Sequence, residues 1–413
     1  MVKNFKMDFK FLKSYLFNYR FYITLAAYAI LALYMQSALV KMWMAFHAKA
    51  FAFTVDTNYL NWNTSFPAIS ICEVFNGEKL WDLNEEHYGS DRDKFQDDFI
   101  ADIAFFNGQC ISCKTCIQQQ KSECYANFTN ILDIFRSKCE KLIVDCSWNG
   151  ENFTCCDAFL PLETEYGICY TINSVHTSPK YGKRLISDRM TGPGSLYVFV
   201  KEDIQIQLHS PYGVPIIGTD QDLQQTILWG LQKDIIFNTV EIFNDASLIE
   251  QKISQRKCRF PAENIEYGNM MLYDVYSYST CVTACVASAQ MAACNCTHHL
   301  MPGNRIKLLS DLRKNCLCLA SCEEPEYNIV YSSSDYFGDD LGSPITISMI
   351  SLPTTRFIRH TVRTTLDFII AMGGILSLLF GASLMSLVEY GIIIFWKLLG
   401  FIKKITKIKL RKA

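Results

Sequence analysis

Glu389 stands in a largely apolar run, Leu366–Trp396, eight positions after Gly381, the first residue of the triplet Gly381-Ala382-Ser383. Eight residues are about two helical turns, so Gly381 and the carboxylate could share one face if the segment between them is helical. A carboxylate inside a bilayer costs at least about 2.5 kcal/mol and marks a polar pathway by default. The same run holds Gly373 and Gly374, and each glycine weakens a helix by roughly 1 kcal/mol relative to alanine. A segment that only anchors a protein needs none of these. If the helix breaks at Gly381, freed carbonyls could replace an ion's hydration shell. If it stays intact, the small residues serve close helix packing. Glu389 likewise reads as a pore carboxylate or as one buried at the cytoplasmic interface.

Other groups could do chemistry. Cys110-x-x-Cys113-x-x-Cys116 has the spacing of a zinc or iron–sulfur site inside a cell and of disulfides outside it. His298-His299 beside Cys296 could ligate a metal or form a structural turn. Thr191-Gly-Pro-Gly-Ser195 lacks a following Lys-Ser/Thr and is a turn, not a phosphate loop. There is no Gly-x-Ser-x-Gly elbow and no His-Glu-x-x-His. The pattern points away from an enzyme, and no cofactor or resident metal is expected.

The elements that must position these groups follow from where cysteine, charge and apolar runs fall. All eighteen cysteines lie between Cys72 and Cys322, which reads as a disulfide framework made in an oxidising compartment. Glycosylation sequons at Asn63, Asn127, Asn152 and Asn295 share that stretch. Residues 1–20 carry five Lys/Arg against Asp8, and residues 397–413 carry seven with no acid. The intervening residues 47–366 hold 26 basic and 38 acidic side chains. That surplus could sense protons or divalent cations, since crowded carboxylates raise one another's pKa, or simply be a solvated surface. The basic cluster 397–412 directly follows a span, so anionic lipid heads are its expected partner rather than nucleic acid.

Phe21–Ala45 is long enough as a helix for a hydrocarbon core of about 30 Å, with Tyr19, Tyr22 and Trp43 at its boundaries. A cleaved leader is the alternative, since Ala48-Lys49-Ala50 resembles a cleavage site. The apolar stretch exceeds the usual length of about 7–15 residues, and twenty residues precede it. With Leu366–Trp396 as a second span, the positive flanks place both termini in the cytoplasm. The expected layout is a tail over 1–20, a first span over 21–45, an extracellular domain over 46–365, a second span over 366–396 and a tail over 397–413. Ser195–Lys201, Ile204–Leu208 and Ile345–Met349 alternate as strands do, and Asp274–Met291 reads as a helix.

Phe66-Pro-Ala-Ile-Ser-Ile-Cys72 resembles a signature of the degenerin/epithelial sodium channel family. Cys155-Cys156 and Tyr166-Gly-Ile-Cys-Tyr-Thr-Ile-Asn173 are similar to the close of its finger region. Cys258-Arg-Phe-Pro261, Tyr276-Ser-Tyr-Ser-Thr-Cys281, Cys285, Cys294-Asn-Cys296, Cys316-Leu-Cys318 and Cys322 resemble its cysteine-rich thumb. Leu352-Pro-Thr-Thr-Arg356, Thr365-Leu-Asp367 and Ser386-Leu-Val-Glu389 match its approach to and passage through the second span. The cysteine layout is most like the insect pickpocket branch.

The resemblance implies an α+β membrane protein, with two transmembrane helices flanking a large disulfide-rich extracellular domain. That domain has a β-rich palm and ball with helical finger and thumb lobes, the finger within 72–169 and the thumb at 258–322. It implies a sodium-permeable channel of the plasma membrane, assembled as a homotrimer or heterotrimer and open to amiloride block. Its gate would answer to an extracellular ligand, protons or force. Gly381, Ala382 and Ser383 would form the selectivity filter, with Ile370, Ala371, Gly373, Gly374 and Glu389 lining or gating the path. Cys72 would pair with Cys169, Cys258 with Cys322, Cys281 with Cys318, and Cys285 with Cys316. The chain departs from the family pattern in lacking two further thumb cysteines, which leaves the pairing of Cys294 and Cys296 open. Residues 1–20 also lack the family's His-Gly pair. That leaves room for a chain that begins short, a different gate, or an accessory subunit that conducts only in company. A non-channel receptor held by both spans is the remaining alternative.

Overall fold

The computed structural model describes residues 9–48, 51–90, 93–106, 110–119, 127–177, 184–263, 272–294, 296–302, 317–338, 342–362, 365–380, 385, 388–389, 391–397 and 400. They fall in two compact units. One comprises Met1–Ala52, Asp245–Arg256 and His360–Ala413, and the other Phe53–Asn244 with Lys257–Arg359.

In the first unit a single helix runs Phe9–Ala48. No glycine or proline interrupts it, so it continues through residues 9–20, beyond the expected boundary of the span. Its stretch Tyr22–Phe46 has a mean hydropathy of 1.8 and none of it is buried within the chain. At about 1.5 Å per residue, 25 residues exceed the thickness of a hydrocarbon core. It is the one helix among the described residues that is long and apolar enough to cross a membrane. A second helix, Thr365–Phe380, is apolar over Leu366–Ile375, and residues 391–397 are again helical. The expected second span therefore lies partly outside the described residues.

The second unit is built on two sheets. The larger has the strand order Phe51–Asp56, Arg356–Thr361, Leu231–Asn244, Ser343–Met349, Ser195–Val200, Ile143–Trp148 and Glu151–Asn152, with Glu326–Tyr336 also paired to Leu231–Asn244. Leu231–Asn244 runs parallel to two neighbours and antiparallel to Glu326–Tyr336. Strand period two buries Lys233, Ile235, Phe237, Thr239 and Glu241 on one face. The smaller sheet is antiparallel, in the order Gln224–Ile227, Ile204–His209, Ala68–Glu73, Gly167–Ile172 and Leu160–Thr164.

One apolar core takes Ile69, Ile71, Ile204 and Ile206 from the smaller sheet, and Leu196, Val198, Ile235, Phe237 and Ile345 from the larger. Phe66, the first residue of the Phe-Pro-Ala signature, is fully buried there, edge-on to Trp148 at 4.8 Å and Phe237 at 5.1 Å. Edge-to-face pairs add about 0.5–1.5 kcal/mol beyond burial. Burial of both sheets' inner faces is what makes these strands legible as alternating sequence.

A second core belongs to helices Gly77–Tyr88, Lys94–Ala104 and Phe128–Phe135, around Leu80, Phe99, Ile103, Ile131 and Phe135. Asn76, Asp93 and Asn127 cap these helices by accepting from backbone N–H groups. A third core packs Ala284 and Ala287 against Leu162, Val214, Ile216 and Tyr273. Its helix runs Tyr278–Cys294 and not from Asp274 as the sequence reading expects. Ser277 Oγ accepts from Thr280 N–H while Thr280 Oγ1 accepts from Ser277 N–H, a reciprocal cap that fixes the start. Tyr276 N–H is already committed to the Pro261 carbonyl.

Candidate ion pathway and its extracellular supports

Ile370, Ala371, Gly373 and Gly374 lie within the continuous helix Thr365–Phe380, and all four are exposed. Asp367 sits in its first turn, where a carboxylate complements the helix dipole. Among the described residues, and apart from the helix's own backbone, no atom lies within 4 Å of a Cβ built on either glycine, so no described neighbour requires them to be small. Glu389 is exposed on a described helical residue. Gly381, Ala382 and Ser383 lie outside the described residues. Within the same unit, Trp43 and Phe46 of the first apolar helix pack their rings on Phe368, at 5.7 and 4.9 Å between centroids.

The strand that leads toward that helix begins at Arg356. The Arg356 Nε donates to Glu241 Oε2, and a second nitrogen donates to the Asn63 carbonyl at 2.9 Å. Its guanidinium also lies over Trp62 at 4.2 Å and Phe243 at 4.5 Å. Arginine suits this place because one planar group can make a directed ion pair and a stacking contact together. Burial pushes the Glu241 carboxyl above its ordinary range, opposed by Arg356 and by the Thr64 hydroxyl. Sequence reasoning reached Arg356 through its motif and missed Glu241, which hides in an ordinary strand pattern.

Disulfides fix the lobes. Cys72 is joined to Cys169, Cys139 to Cys156, Cys146 to Cys155, Cys258 to Cys322, and Cys281 to Cys318. Cys110 is joined to Cys113, and Cys116, Cys285 and Cys296 are also disulfide-bonded. Cys316 and Asn295 lie outside the described residues. The sulfurs of the Cys-x-x-Cys-x-x-Cys run are thus bridged, not held as thiolate ligands. Asn63, Asn127 and Asn152 are exposed.

His299 shares a hydrogen bond of 2.7 Å between its Nε2 and the Ile103 carbonyl, and since a carbonyl only accepts, the ring donates. The His298 and His299 rings lie on Phe106, at 5.0 and 5.8 Å. Burial, then the neighbouring His299, pushes His298 down to about 4. The pair works as a neutral packing element.

A polar layer that the sequence reading missed lies on the second face of the smaller sheet. Ser70 Oγ is 2.7 Å from both Thr171 Oγ1 and His209 Nε2, and His209 Nδ1 is 2.8 Å from the Ser210 carbonyl. The carbonyl can only accept, so Nδ1 carries the proton and Nε2 accepts from Ser70. Burial pushes His209 down to about 4. Nearby, the Glu165 carboxylate accepts from Ile217 N–H at 3.1 Å, and burial raises its pKa. A cavity of about 700 Å³ opens between the helical lobe and this sheet, lined by Glu73, Arg136, Glu140, Glu163, Tyr170 and His299 among others.

Acid-sensing ion channel 4-B of Danio rerio is 25% identical over 333 residues, covering 72% of this chain and 51% of that one. Pickpocket protein 19 of Drosophila melanogaster is 21% identical over 345 residues, covering 70% and 66%. The chain thus spans about half the length of the first relative and about two thirds of the second. A solved structure described as a proton-activated chloride channel aligns over 91% of this chain and 97% of its own, at 7% identity and a TM-score of 0.31. A family model described as amiloride-sensitive sodium channel matches residues 14–393. By that match the chain belongs to the amiloride-sensitive sodium channel family, a family of ion channels and not of enzymes.

Proposed function

We propose that the chain is one subunit of a trimeric, sodium-permeable cation channel of the plasma membrane, with both termini cytoplasmic and the disulfide-rich unit outside. The observation that carries this reading is the family match across both apolar segments, residues 14–393. The composition of the second segment supports it, since a mid-helix glycine pair that no described neighbour requires and an intramembrane carboxylate both cost stability. In this reading three copies of the second span surround the path. Gly381, Ala382 and Ser383 narrow it, and Glu389 lies in or beside its inner mouth. The gate answers to an extracellular ligand, protons or force.

The test is current recording from oocytes expressing the chain, alone and with related subunits, across a panel of stimuli. A sodium current that Gly381→Arg abolishes is the expected result. A current untouched by that substitution would remove the filter assignment. Silence alone, with altered selectivity on co-expression, would make the chain an accessory subunit.

A further inference from the structure

We infer that the Cys110–Cys113 disulfide is a thiol-exchange site whose reactant is a small thiol of the glutathione class. Of the six bonds whose partners are both described, this is the one in which neither cysteine is buried. It also closes the shortest loop, with a sequence separation of 3 against 9 to 97 for the others. The chain entropy that a cross-link removes from the unfolded state grows with loop length, so this bond contributes least as a staple.

Its setting favours opening. Cys110 stands just before helix Ser112–Gln119, and Cys113 N–H in the first turn points at Cys110 Sγ from 3.2 Å. That donor is in place before any charge develops, and a helix N-terminus favours an anion. Ser112 Oγ lies 3.6 Å from Cys110 Sγ, and the charged groups beside the site among the described residues include Asp102 and Lys114. Asp102 takes Ser112 N–H at 2.8 Å and Ser112 O–H at 2.7 Å, and its charge opposes a thiolate. Lys114 is exposed on the next residue and favours one. Ile111, between Cys110 and the helix, is 73% exposed, so an incoming thiol has a path.

The step balances with two thiols. The first attacks Cys113 Sγ as a thiolate, the Cys110–Cys113 bond breaks, and its electron pair stays on Cys110 Sγ beside the Cys113 N–H. Cys110 takes a proton from water, and Cys113 holds the mixed disulfide. A second thiolate attacks the small molecule's sulfur, leaving a symmetric small-molecule disulfide and the Cys113 thiol. The helical lobe keeps its apolar core of Phe99, Ile103, Ile131 and Phe135 throughout.

The experiment titrates the purified full chain in detergent with glutathione. Free thiols are trapped by alkylation, the remaining bonds are reduced and labelled differently, and peptides are read by mass spectrometry. Cys110 and Cys113 should be trapped, or carry glutathione, at concentrations about tenfold or more below those that open Cys72–Cys169 or Cys258–Cys322. Trapping together with or after those core pairs would overturn the proposal. A second arm melts the Cys110→Ser/Cys113→Ser double variant beside Cys72→Ser/Cys169→Ser. An unchanged midpoint in the first is expected, and a drop matching the second would make the bond a structural staple and defeat the proposal.

Discussion

Arg356 donates its Nε proton to the carboxylate of Glu241 across 115 residues of sequence, with both side chains buried. The pair ties the strand that leads to the second apolar helix onto the longest strand of the larger sheet.

Removing one partner leaves the other as an uncompensated buried charge, which typically costs about 3–5 kcal/mol. Arg356→Gln and Glu241→Gln should each lower the thermal unfolding midpoint of the purified chain. The double variant should lose less than the two single losses summed. Strict additivity in that double-mutant cycle would show that the pair contributes nothing of its own.

A different buried group predicts an acid limit on stability. His209 has a folded pKa of about 4, below its ordinary value of 6.5, because burial disfavours the imidazolium. The unfolded chain therefore binds the proton first, so stability is fully present above about 6.5 and is lost as pH falls toward 4. The groups around it are Ser70, Thr171, the Ser210 carbonyl and His176, whose pKa burial also lowers. His209→Gln keeps a donor and an acceptor without a titrating ring. Its unfolding midpoint should fall less steeply than the wild type's between those pH values, and an identical slope would rule His209 out as a source of acid lability.

Where sequence and structure part company, the cause is physical. Phe66, Cys72 and the strand near Ile345 were legible because sheet alternation and cysteine spacing are written locally. The start of helix Tyr278–Cys294 was not, because the helical pattern does not reveal that the cap is the Ser277–Thr280 exchange. Glu241, His209 and Glu165 were invisible for another reason. Their meaning comes from partners supplied by distant segments, and a lone polar residue in a strand or, for Glu165, in the turn after Leu160–Thr164 gives no sign of them.

Gly194 shows a turn that sequence did place. It lies in Thr191-Gly-Pro-Gly-Ser195 with φ +85°, where a side chain is strained. A Cβ there would also come within 2.5 Å of Trp148 and 2.7 Å of Ser187 Oγ. Gly194→Ala should destabilise by more than the roughly 1 kcal/mol that backbone strain alone costs. Gly192→Ala in the same turn has a similar φ of +81° and open space, so it isolates the strain. Equal midpoints for the two variants would show that the Trp148 contact does not matter.

Asn127 and Asn152 are two of the three exposed sequons among the described residues. Asn127 caps helix Phe128–Phe135 through its Oδ1, which accepts from Thr129 N–H at 3.1 Å. A sugar attaches to Nδ2 and leaves that cap intact. Asn152 is exposed on Glu151–Asn152, the last strand of the larger sheet, where a glycan would cover an open edge. Asn127→Asp keeps the cap and removes the acceptor, so each Asp variant should migrate one glycan faster from secretory-pathway expression. A band indistinguishable from wild type would show that site unmodified.

The glycine pair gives the most direct probe of the proposed pore. Among the described residues, no atom outside the helix's own backbone lies within 4 Å of a Cβ added at Gly373 or Gly374, and the helix passes through both. Alanine at either position should therefore leave folding intact and strengthen the helix by about 1 kcal/mol. A larger side chain tests what lies outside the chain. In a trimer whose second spans converge, Gly374→Leu would place a branched side chain where neighbouring helices meet or where the path narrows. Surface delivery should then match wild type, measured by biotinylation, while sodium current falls. Normal current with normal delivery would mean that this face meets only lipid, and would take the glycine pair out of the conduction pathway.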